Sequence, residues 1–253
     1  MSGAAQLAVV LVEPSGPLNI GSVARLCANF DVGELRLVAP RCDHLGEEAR
    51  RMAVHGSWLL EQARLFPSLS AALADCCRVV ATSGRRSGEP LPLQAPEPAL
   101  RWLAQARGPC ALVFGREDRG LSNDELLQAG QLLTLGSGDA YASLNLSHAA
   151  ALVLHSWHCL GSGLESSLGS SPEVGALPEP SERQALEAML GDAEALLLDV
   201  GFLHPHTAHA RMAKLRGLLQ RAQISTEEVA LVRGMVRQLR WASERGSNPG
   251  QTP

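Results

Sequence analysis

Three segments of the 253-residue sequence combine glycine with polar side chains at spacings that could bind a ligand or position a proton. The first, EPSGPLNIGSVARL at residues 13–26, has Asn19 at the start of a helical pattern and Arg25 about a turn and a half later. A Pro/Gly-rich turn between a strand and a helix can present both side chains to a ligand. The alternative for this segment alone is an ordinary turn with a surface arginine.

The second segment is ALVFGREDRGLSNDEL at residues 111–126. Its apolar run ends at Gly115, where the missing side chain allows a ligand or the backbone to approach closely. Glu117 could hydrogen-bond a ligand or could only cap the loop. A phosphate loop requires G-x-x-x-x-G-K-[ST], and the lysine is missing here, which argues against a nucleotide-dependent hydrolase.

The third segment, LTLGSGDAYASLNLSHAAAL at residues 133–152, runs through small residues into an apolar helical pattern. Ser143 and Asn145 stand at its start, where both residue types are also common helix caps. Neither G-x-G-x-x-G nor G-x-S-x-G occurs, which disfavours a dinucleotide-binding enzyme and an α/β-hydrolase.

All three segments follow short apolar runs that alternate with helical patterns. The runs are rich in Val and Leu without polar alternation, as is typical of parallel strands buried on both faces. We predict strands at Leu7–Val12, Leu35–Val38, Arg78–Thr82, Cys110–Phe114 and Gln131–Leu135. We predict helices after Asn19, at Ser68–Cys76, at Pro98–Ala106, after a capping box at Ser122–Glu125 and at Asn145–Cys159. The result is an α/β fold with a parallel sheet, whose ligands bind at strand ends.

The composition changes at the end of a first domain, residues 1–160. Residues 161–182 are rich in Gly, Ser, Pro and Glu, which predicts a flexible linker. Residues 183–245 have helical spacing, and residues 246–253 are predicted to be a disordered tail. The net charge is −4, yet residues 201–253 carry eight basic and three acidic side chains. This local excess fits either a phosphate-binding face or a solvated helix face.

Cysteine and histidine spacing predicts no metal site. The six cysteines include no C-x-x-C pair, so we expect structural thiols in a reducing, cytoplasmic compartment. His204, His206 and His209 are close in sequence, but no carboxylate accompanies them. No apolar stretch has membrane-spanning length and no basic residue precedes the first apolar run, so neither a membrane segment nor a signal peptide is expected.

Taken together and in order, the three segments resemble the signature motifs of the SpoU/TrmH methyltransferases, which have the SPOUT fold. The pattern N-x-G-x-x-x-R is matched at Asn19, Gly21 and Arg25, F-G-x-E-x-x-G-L at residues 114–121, and S-L-N-x-S-x-A at residues 143–149. This joint occurrence is highly specific for the superfamily.

Further stretches resemble the bacterial TrmJ group of this family. They are the LVEP start, VVATSGRR at residues 79–86 and the basic helical stretch at residues 201–239. The similarity covers most of the chain apart from the linker and the tail. One departure is Leu135-Gly136, where many relatives have Ile-Pro, and we expect it to alter the cofactor loop.

The resemblance implies a SPOUT (α/β knot) fold, with a C-terminal trefoil knot in the parallel sheet and a small C-terminal helical extension. True knots are rare, so only the family similarity predicts this one. It also implies a homodimer that uses S-adenosylmethionine to methylate the ribose 2′-hydroxyl of RNA, in tRNA at the pyrimidine of nucleotide 32. The alternatives are ribosomal RNA as substrate, a catalytically silent RNA-binding module, or a small-molecule α/β enzyme.

The resemblance also implies roles for individual residues. Because a guanidinium stays protonated, we expect Arg25 to bind phosphate and stabilise a developing alkoxide rather than act as a base. The implied catalytic residues are Arg25, Asn19, Glu117, Ser143 and Asn145. The implied cofactor-binding residues are Thr82, Ser83, Gly84, Gly115, Glu117, Leu135, Ser143 and Leu144. The predicted RNA-binding residues are Arg25, Arg85, Lys214, Arg216, Arg221, Arg233 and Arg237.

Overall fold

The computed structural model describes residues 6–85, 88–138, 143–161 and 179–246. The chain forms two compact units, Met1–Leu177 and Pro178–Pro253. Most of the predicted linker and nearly all of the predicted tail lie outside the described residues. Among the helices that are described, none has the length and apolar character needed to cross a membrane.

The first unit contains a seven-stranded sheet with six pairings, all of them parallel. The strand order is β3-β2-β1-β6-β4-β7-β5. Parallel pairing places the carboxyl ends of the neighbouring strands β1, β6, β4 and β7 along one edge. The strands are β1 (Leu7–Val12), β2 (Glu34–Val38), β3 (Arg64–Phe66), β4 (Arg78–Thr82), β5 (Leu93–Gln94), β6 (Cys110–Phe114) and β7 (Gln131–Leu133).

The central strands are apolar throughout because both faces of the sheet are covered. In β1, Val9 and Leu11 belong to one buried cluster, whereas Val10 and Val12 belong to a second cluster on the other face. The helices of this unit are α1 (Pro17–Asn29), α2 (Glu47–Ala53), α3 (Ser57–Glu61), α4 (Leu69–Ala72), α5 (Pro96–Ala104), α6 (Asn123–Leu126) and α7 (Leu146–Gly161), with a 3₁₀ turn at Val54–Gly56.

Glycine at position 21 lets α1 pack closely against α2. A Cβ atom at Gly21 would lie 2.2 Å from the Ala49 carbonyl oxygen and 2.9 Å from Met52 Cβ. The backbone oxygen cannot move aside as a flexible side chain could, so a larger residue would push the helices apart. Gly21 therefore fixes the helix that carries Asn19 and Arg25.

The predicted strands at Leu7–Val12, Arg78–Thr82 and Cys110–Phe114 are confirmed residue for residue. The prediction for the last strand was wrong at its end, because β7 stops at Leu133 and residues 134–135 enter a loop. The short edge strands β3 and β5 were not predicted, since two or three residues carry too little periodicity. The predicted knot depends on the chain path through residues 139–142, outside the described residues, so it stays a prediction.

The second unit consists of α8 (Arg183–Asp199), α9 (Pro205–Ala222) and α10 (Thr226–Gly246). Leu186, Met189 and Met212 belong to its buried core. The end of the predicted linker is part of this unit, because the Ser181 N–H donates to the Ile224 carbonyl at 2.8 Å. The helical extension expected from the sequence therefore has a core of its own.

Candidate active site

The loops after β4, β6 and β7 surround a cavity of about 310 Å³ at the carboxyl edge of the sheet. All eight residues expected to bind the cofactor lie around it: Thr82, Ser83, Gly84, Gly115, Glu117, Leu135, Ser143 and Leu144. They come from four separate stretches of sequence, and only the strand order brings them together.

The loop after β6 folds back on Gly115. A Cβ atom there would lie 2.4 Å from the Gly120 carbonyl carbon, and an antiparallel bridge joins Arg116 to Gly120. This contact holds Glu117 at the end of the strand. The capping box predicted after the loop is present, with Ser122 and Glu125 each accepting a hydrogen bond from the other's backbone N–H.

The loop after β7 contains the departure from the family pattern. Gly136 lines the cavity with a φ of +61°. A proline, whose φ is fixed near −65°, could not take this conformation. Glycine is therefore compatible with this backbone conformation and proline is not, while the expected alteration of the cofactor loop relative to the family stays a prediction.

Glu117 joins the loop after β6 to the start of α1. Its carboxylate accepts hydrogen bonds from the Ser15 N–H at 3.1 Å, the Gly16 N–H at 3.0 Å and Asn19 Nδ2 at 3.2 Å. Helix α1 has no side-chain cap of its own, so Glu117 takes that role from about a hundred residues away. Burial raises the pKa of Glu117, but the donors from Gly16, Asn19 and Ser15 outweigh it, and the pKa falls below its usual range.

A chain of amides links the three sequence motifs. Asn19 donates to Glu117, and the Asn19 Oδ1 atom accepts from Asn145 Nδ2 at 3.2 Å. The Asn145 Oδ1 atom accepts in turn from the Ser147 N–H at 2.8 Å and from its hydroxyl at 2.7 Å. We call Glu117, Asn19, Asn145 and Ser147 the amide relay. It fixes the start of α1 relative to the start of α7.

Arg25 belongs neither to the cavity lining nor to the amide relay. Its side chain is exposed on α1, and it does not line the cavity. Within the part of the chain that the structure describes, Arg25 makes no hydrogen bond or ion pair. No described residue therefore occupies the donors of Arg25.

Arg85, expected to contact RNA, is bound within the protein. Its guanidinium donates to the Leu121 carbonyl and to Asn123 Oδ1, the latter at 2.8 Å. Ser83, which precedes it, donates to Glu89 at 2.6 Å. These contacts hold the loop after β4 against the start of α6, so Arg85 shapes the cavity wall.

An ion cluster at the end of β1 was not identified from the sequence. Glu13 has a φ of 45° and binds both Arg116 and Arg41, while Arg119 Nη2 lies 3.9 Å away. Arg116 also forms a double hydrogen bond with Glu125 at 2.8 Å. We call these five residues the Glu13 cluster. Hydrogen bonding to Arg116, aided by Arg41 and opposed by burial, lowers the pKa of Glu13 to about 2.

The predicted RNA-binding residues of the second unit fall into two groups. Arg216 forms a double hydrogen bond with Glu187 at 2.9 Å, and Arg233 binds Asp192 at 2.7 Å. These two pairs hold the helices of the unit together. The remaining predicted RNA contacts, Lys214, Arg221 and Arg237, are exposed.

No potential metal site is present among the described residues, where no three His, Cys, Asp or Glu side chains are grouped to hold an ion. The His204 and His206 rings stack with their centroids 5.8 Å apart.

Comparison with protein families gives two matches that do not overlap. The sequence model of the SpoU rRNA Methylase family matches residues 6–155. The model of the C-terminal domain of tRNA methyltransferase TrmJ matches residues 184–249. The two matches correspond to the two compact units.

Individual relatives match along nearly the whole chain. A Cronobacter sakazakii protein named tRNA (cytidine/uridine-2′-O-)-methyltransferase TrmJ is 33% identical, covering 95% of this chain and 98% of that protein. A Pseudomonas aeruginosa protein named tRNA (cytidine/uridine/adenosine-2′-O-)-methyltransferase TrmJ is 34% identical, covering 91% and 92%. The crystal structure of TrmJ from Z. mobilis superposes with a TM-score of 0.79 at 33% identity, covering 92% of this chain and 98% of that one. With its parallel α/β sheet, cavity and motifs, the chain therefore belongs to the SpoU methylase family, in its TrmJ group, and is a methyltransferase.

Proposed function

We propose that this enzyme transfers a methyl group from S-adenosylmethionine to a ribose 2′-hydroxyl of tRNA, at the pyrimidine of nucleotide 32. The observation that carries the proposal is the amide relay beside the cavity, in a chain whose relatives along both units are named as tRNA 2′-O-methyltransferases. A catalytically silent module could keep the relay for its structural role, so methyl transfer itself is the property that separates the two functions.

The cavity suits the cofactor in size and chemistry. Its volume of about 310 Å³ falls within the range of small-molecule sites. Gly84, Gly115 and Gly136 line it, so backbone N–H and C=O groups are accessible to hydrogen-bond an adenine ring. When bound, the cofactor would supply a methyl group on a positively charged sulfonium; the sulfur would leave as a neutral thioether, and the proton of the 2′-hydroxyl would pass to solvent water.

The protein's own residues then have to align and activate the hydroxyl. Arg25 presents a permanently charged, planar set of donors, which suits a developing alkoxide and the adjacent phosphate. The relay fixes the start of α1, and with it the position of Arg25. We assign a hydrogen bond with the ribose to Ser143, which is exposed at the cavity edge.

The RNA substrate is inferred from the second unit as well as the first. The relatives' names differ in the bases but share the ribose 2′-oxygen, which favours recognition through the backbone. We assign phosphate contacts to Lys214, Arg221 and Arg237, and these should weaken with salt. We further infer a cytoplasmic homodimer, in which α7, with Leu152 half-exposed, contributes to the interface.

The experiment that tests the proposal is methyl transfer from labelled S-adenosylmethionine to total tRNA and to ribosomal RNA, followed by mapping of the modified nucleotide. We expect a 2′-O-methyl pyrimidine at nucleotide 32, and a loss of about 10²–10³-fold in kcat for Arg25→Ala with cofactor affinity unchanged. Near-complete activity of Arg25→Lys would contradict the role of the planar guanidinium.

Two other outcomes would redirect the proposal. Methylation of ribosomal RNA alone would favour the activity named in the SpoU family description. Absence of cofactor binding would refute the proposed reaction altogether.

A further inference from the structure

Two arginines from different loops meet at one carboxylate oxygen beside the cavity. Arg41, after β2, binds Glu13 Oε2, and Arg119, after β6, places Nη2 3.9 Å from the same oxygen. The Arg41 backbone N–H also donates to the Pro14 carbonyl at 2.9 Å, which fixes its loop against the end of β1. Arg119 lies in the loop closed by the bridge between Arg116 and Gly120. Both backbones are therefore held in place.

The charges of this cluster do not balance. Glu13 faces three guanidiniums, and the only other carboxylate in the cluster, Glu125, is bound by Arg116 on both oxygens. In the described part of the chain, the acids on the same loops, Asp43, Glu117 and Asp118, form no ion pair with Arg41 or Arg119, and the carboxylate of Glu117 is held by donors at the start of α1. One positive charge of the Glu13 cluster therefore has no partner within the cluster.

The unmatched charge is at the surface. The side chains of Arg41 and Arg119 are 48% and 61% exposed, whereas that of Arg116 is 10% exposed. A guanidinium carries five N–H donors, so contact with a single carboxylate oxygen leaves most of them in solvent. Two such groups held side by side suit an oxyanion with several acceptor oxygens.

We infer that Arg41 and Arg119 form a phosphate-binding pair, which holds the RNA backbone next to the nucleotide to be methylated. The inference rests on the proposed function, since it takes the bound anion to be substrate RNA. Arg119 lines the cavity and Arg41 does not, so the pair spans the cavity rim. An RNA strand carries a phosphate on each side of every ribose, so a strand whose target ribose enters the cavity brings phosphates to its rim.

The carboxylate of the cofactor's methionine portion presents the same oxyanion chemistry. We favour the RNA phosphate because Arg41 lies outside the cavity lining, where a bound cofactor would not extend. Separate measurements of the affinities for RNA and for the cofactor show whether the pair binds the RNA phosphate or the cofactor's carboxylate.

The test compares full-length Arg41→Ala, Arg119→Ala and the double variant with the wild type. We expect the KM for unfractionated tRNA to rise about tenfold per substitution, with kcat and the Kd for S-adenosylmethionine within about twofold. The slope of log Kd for tRNA against log salt should fall by about one per arginine removed. Lysine at either position should restore part of the affinity, since it keeps the charge without the planar donor set.

The matched control is Arg64→Ala, which removes another arginine that is 55% exposed and pairs with a glutamate, Glu34, at 2.9 Å. Arg64 lies on the edge strand β3, which β2 and β1 separate from the strands β6, β4 and β7 whose loops surround the cavity, so its variant should bind tRNA and cofactor like the wild type.

The inference would be overturned if the double variant kept the wild-type tRNA affinity and salt slope. It would also be overturned if the variants bound the cofactor more weakly and tRNA as well as the wild type.

If the wild type methylates no tRNA, the proposed function fails, and the binding measurements are repeated with ribosomal RNA. An unchanged salt slope on both RNAs would then refute the phosphate-binding pair independently of the reaction.

Discussion

Two clusters of arginines and carboxylates in the first unit differ in how their charges are matched. In the Arg36 cluster, which comprises Glu34, Arg36, Arg64 and Asp75, Arg36 is 1% exposed and binds Glu34 at 2.8 Å and Asp75 at 2.5 and 2.9 Å. The Arg36 cluster has two acids for two bases, whereas the Glu13 cluster has two acids for three.

The physical reason for the difference is access to water. A buried guanidinium has lost its hydration, so each of its donors needs an acceptor in the protein, and the Ala72 carbonyl supplies a further one for Arg36. At the carboxyl edge, Arg41 and Arg119 keep part of their hydration, so an excess charge is tolerated there. In the Arg36 cluster the buried guanidinium is fully matched, which is a structural role, whereas the excess charge of the Glu13 cluster falls on the exposed Arg41 and Arg119, to which we assign phosphate binding.

The largest effect is expected from Arg36→Ala. The substitution leaves Glu34 and Asp75 without their shared partner and opens a cavity, so the free energy of unfolding should fall by about 3–5 kcal/mol. Urea denaturation measures this loss, and the KM for tRNA of the folded protein should not change. A loss below about 1 kcal/mol would mean that the balanced cluster is not structural.

A smaller effect is expected from Glu117→Ala, which removes a carboxylate that is matched by backbone and amide donors rather than by arginine. Helix α1 loses its cap, so stability should fall by about 1–2 kcal/mol. The value of kcat should fall as well, because Asn19 loses its fixed position. Glu117→Gln, which keeps one acceptor oxygen, should lose less stability and less kcat than Glu117→Ala. If Glu117→Ala lowered stability and left kcat unchanged, the relay would have only a structural role.

Glu13→Gln tests how much the ion pairs of the Glu13 cluster contribute to stability as the pH changes. Because the pKa of Glu13 is lowered from 4.5 to about 2, its ion pairs stabilise the folded state above about pH 4.5 and are lost as the pH falls towards 2. The melting temperature of the variant should therefore decrease less over this acid range than that of the wild type. The control is Glu97→Gln, which removes a 60% exposed carboxylate from an ion pair with Arg101. Parallel acid profiles for Glu13→Gln and the wild type would contradict the coupling.

The smallest effect is expected from Arg64→Ala, the exposed member of the Arg36 cluster. Its pair with Glu34 faces water, so its removal should cost less than about 1 kcal/mol in urea denaturation. A loss of unfolding free energy above about 2 kcal/mol would show that the exposed Arg64 also contributes to the stability of the Arg36 cluster.

Much of the fold could be predicted because local patterns carry the information. The apolar runs of β1, β4 and β6 have no polar position, since the sheet is covered on both faces, and the capping box before α6 lies within four residues. Helices α2 and α3 were missed because, unlike the still shorter α4 and α6, they have no side-chain cap that marks their start. They are fixed by packing, including the close approach of α2 to Gly21.

The sequence by itself determined the central strands, most of the longer helices, the family and eight of the residues that line the cavity, because motifs and periodicity lie within short stretches of chain. Only the tertiary structure decided how those residues are used. It directs Glu117 to the start of α1, binds Arg85 within its own loop, and brings Arg41 and Arg119 to one oxygen of Glu13. These contacts join residues up to about a hundred positions apart, and they depend on the strand order, which local periodicity does not encode.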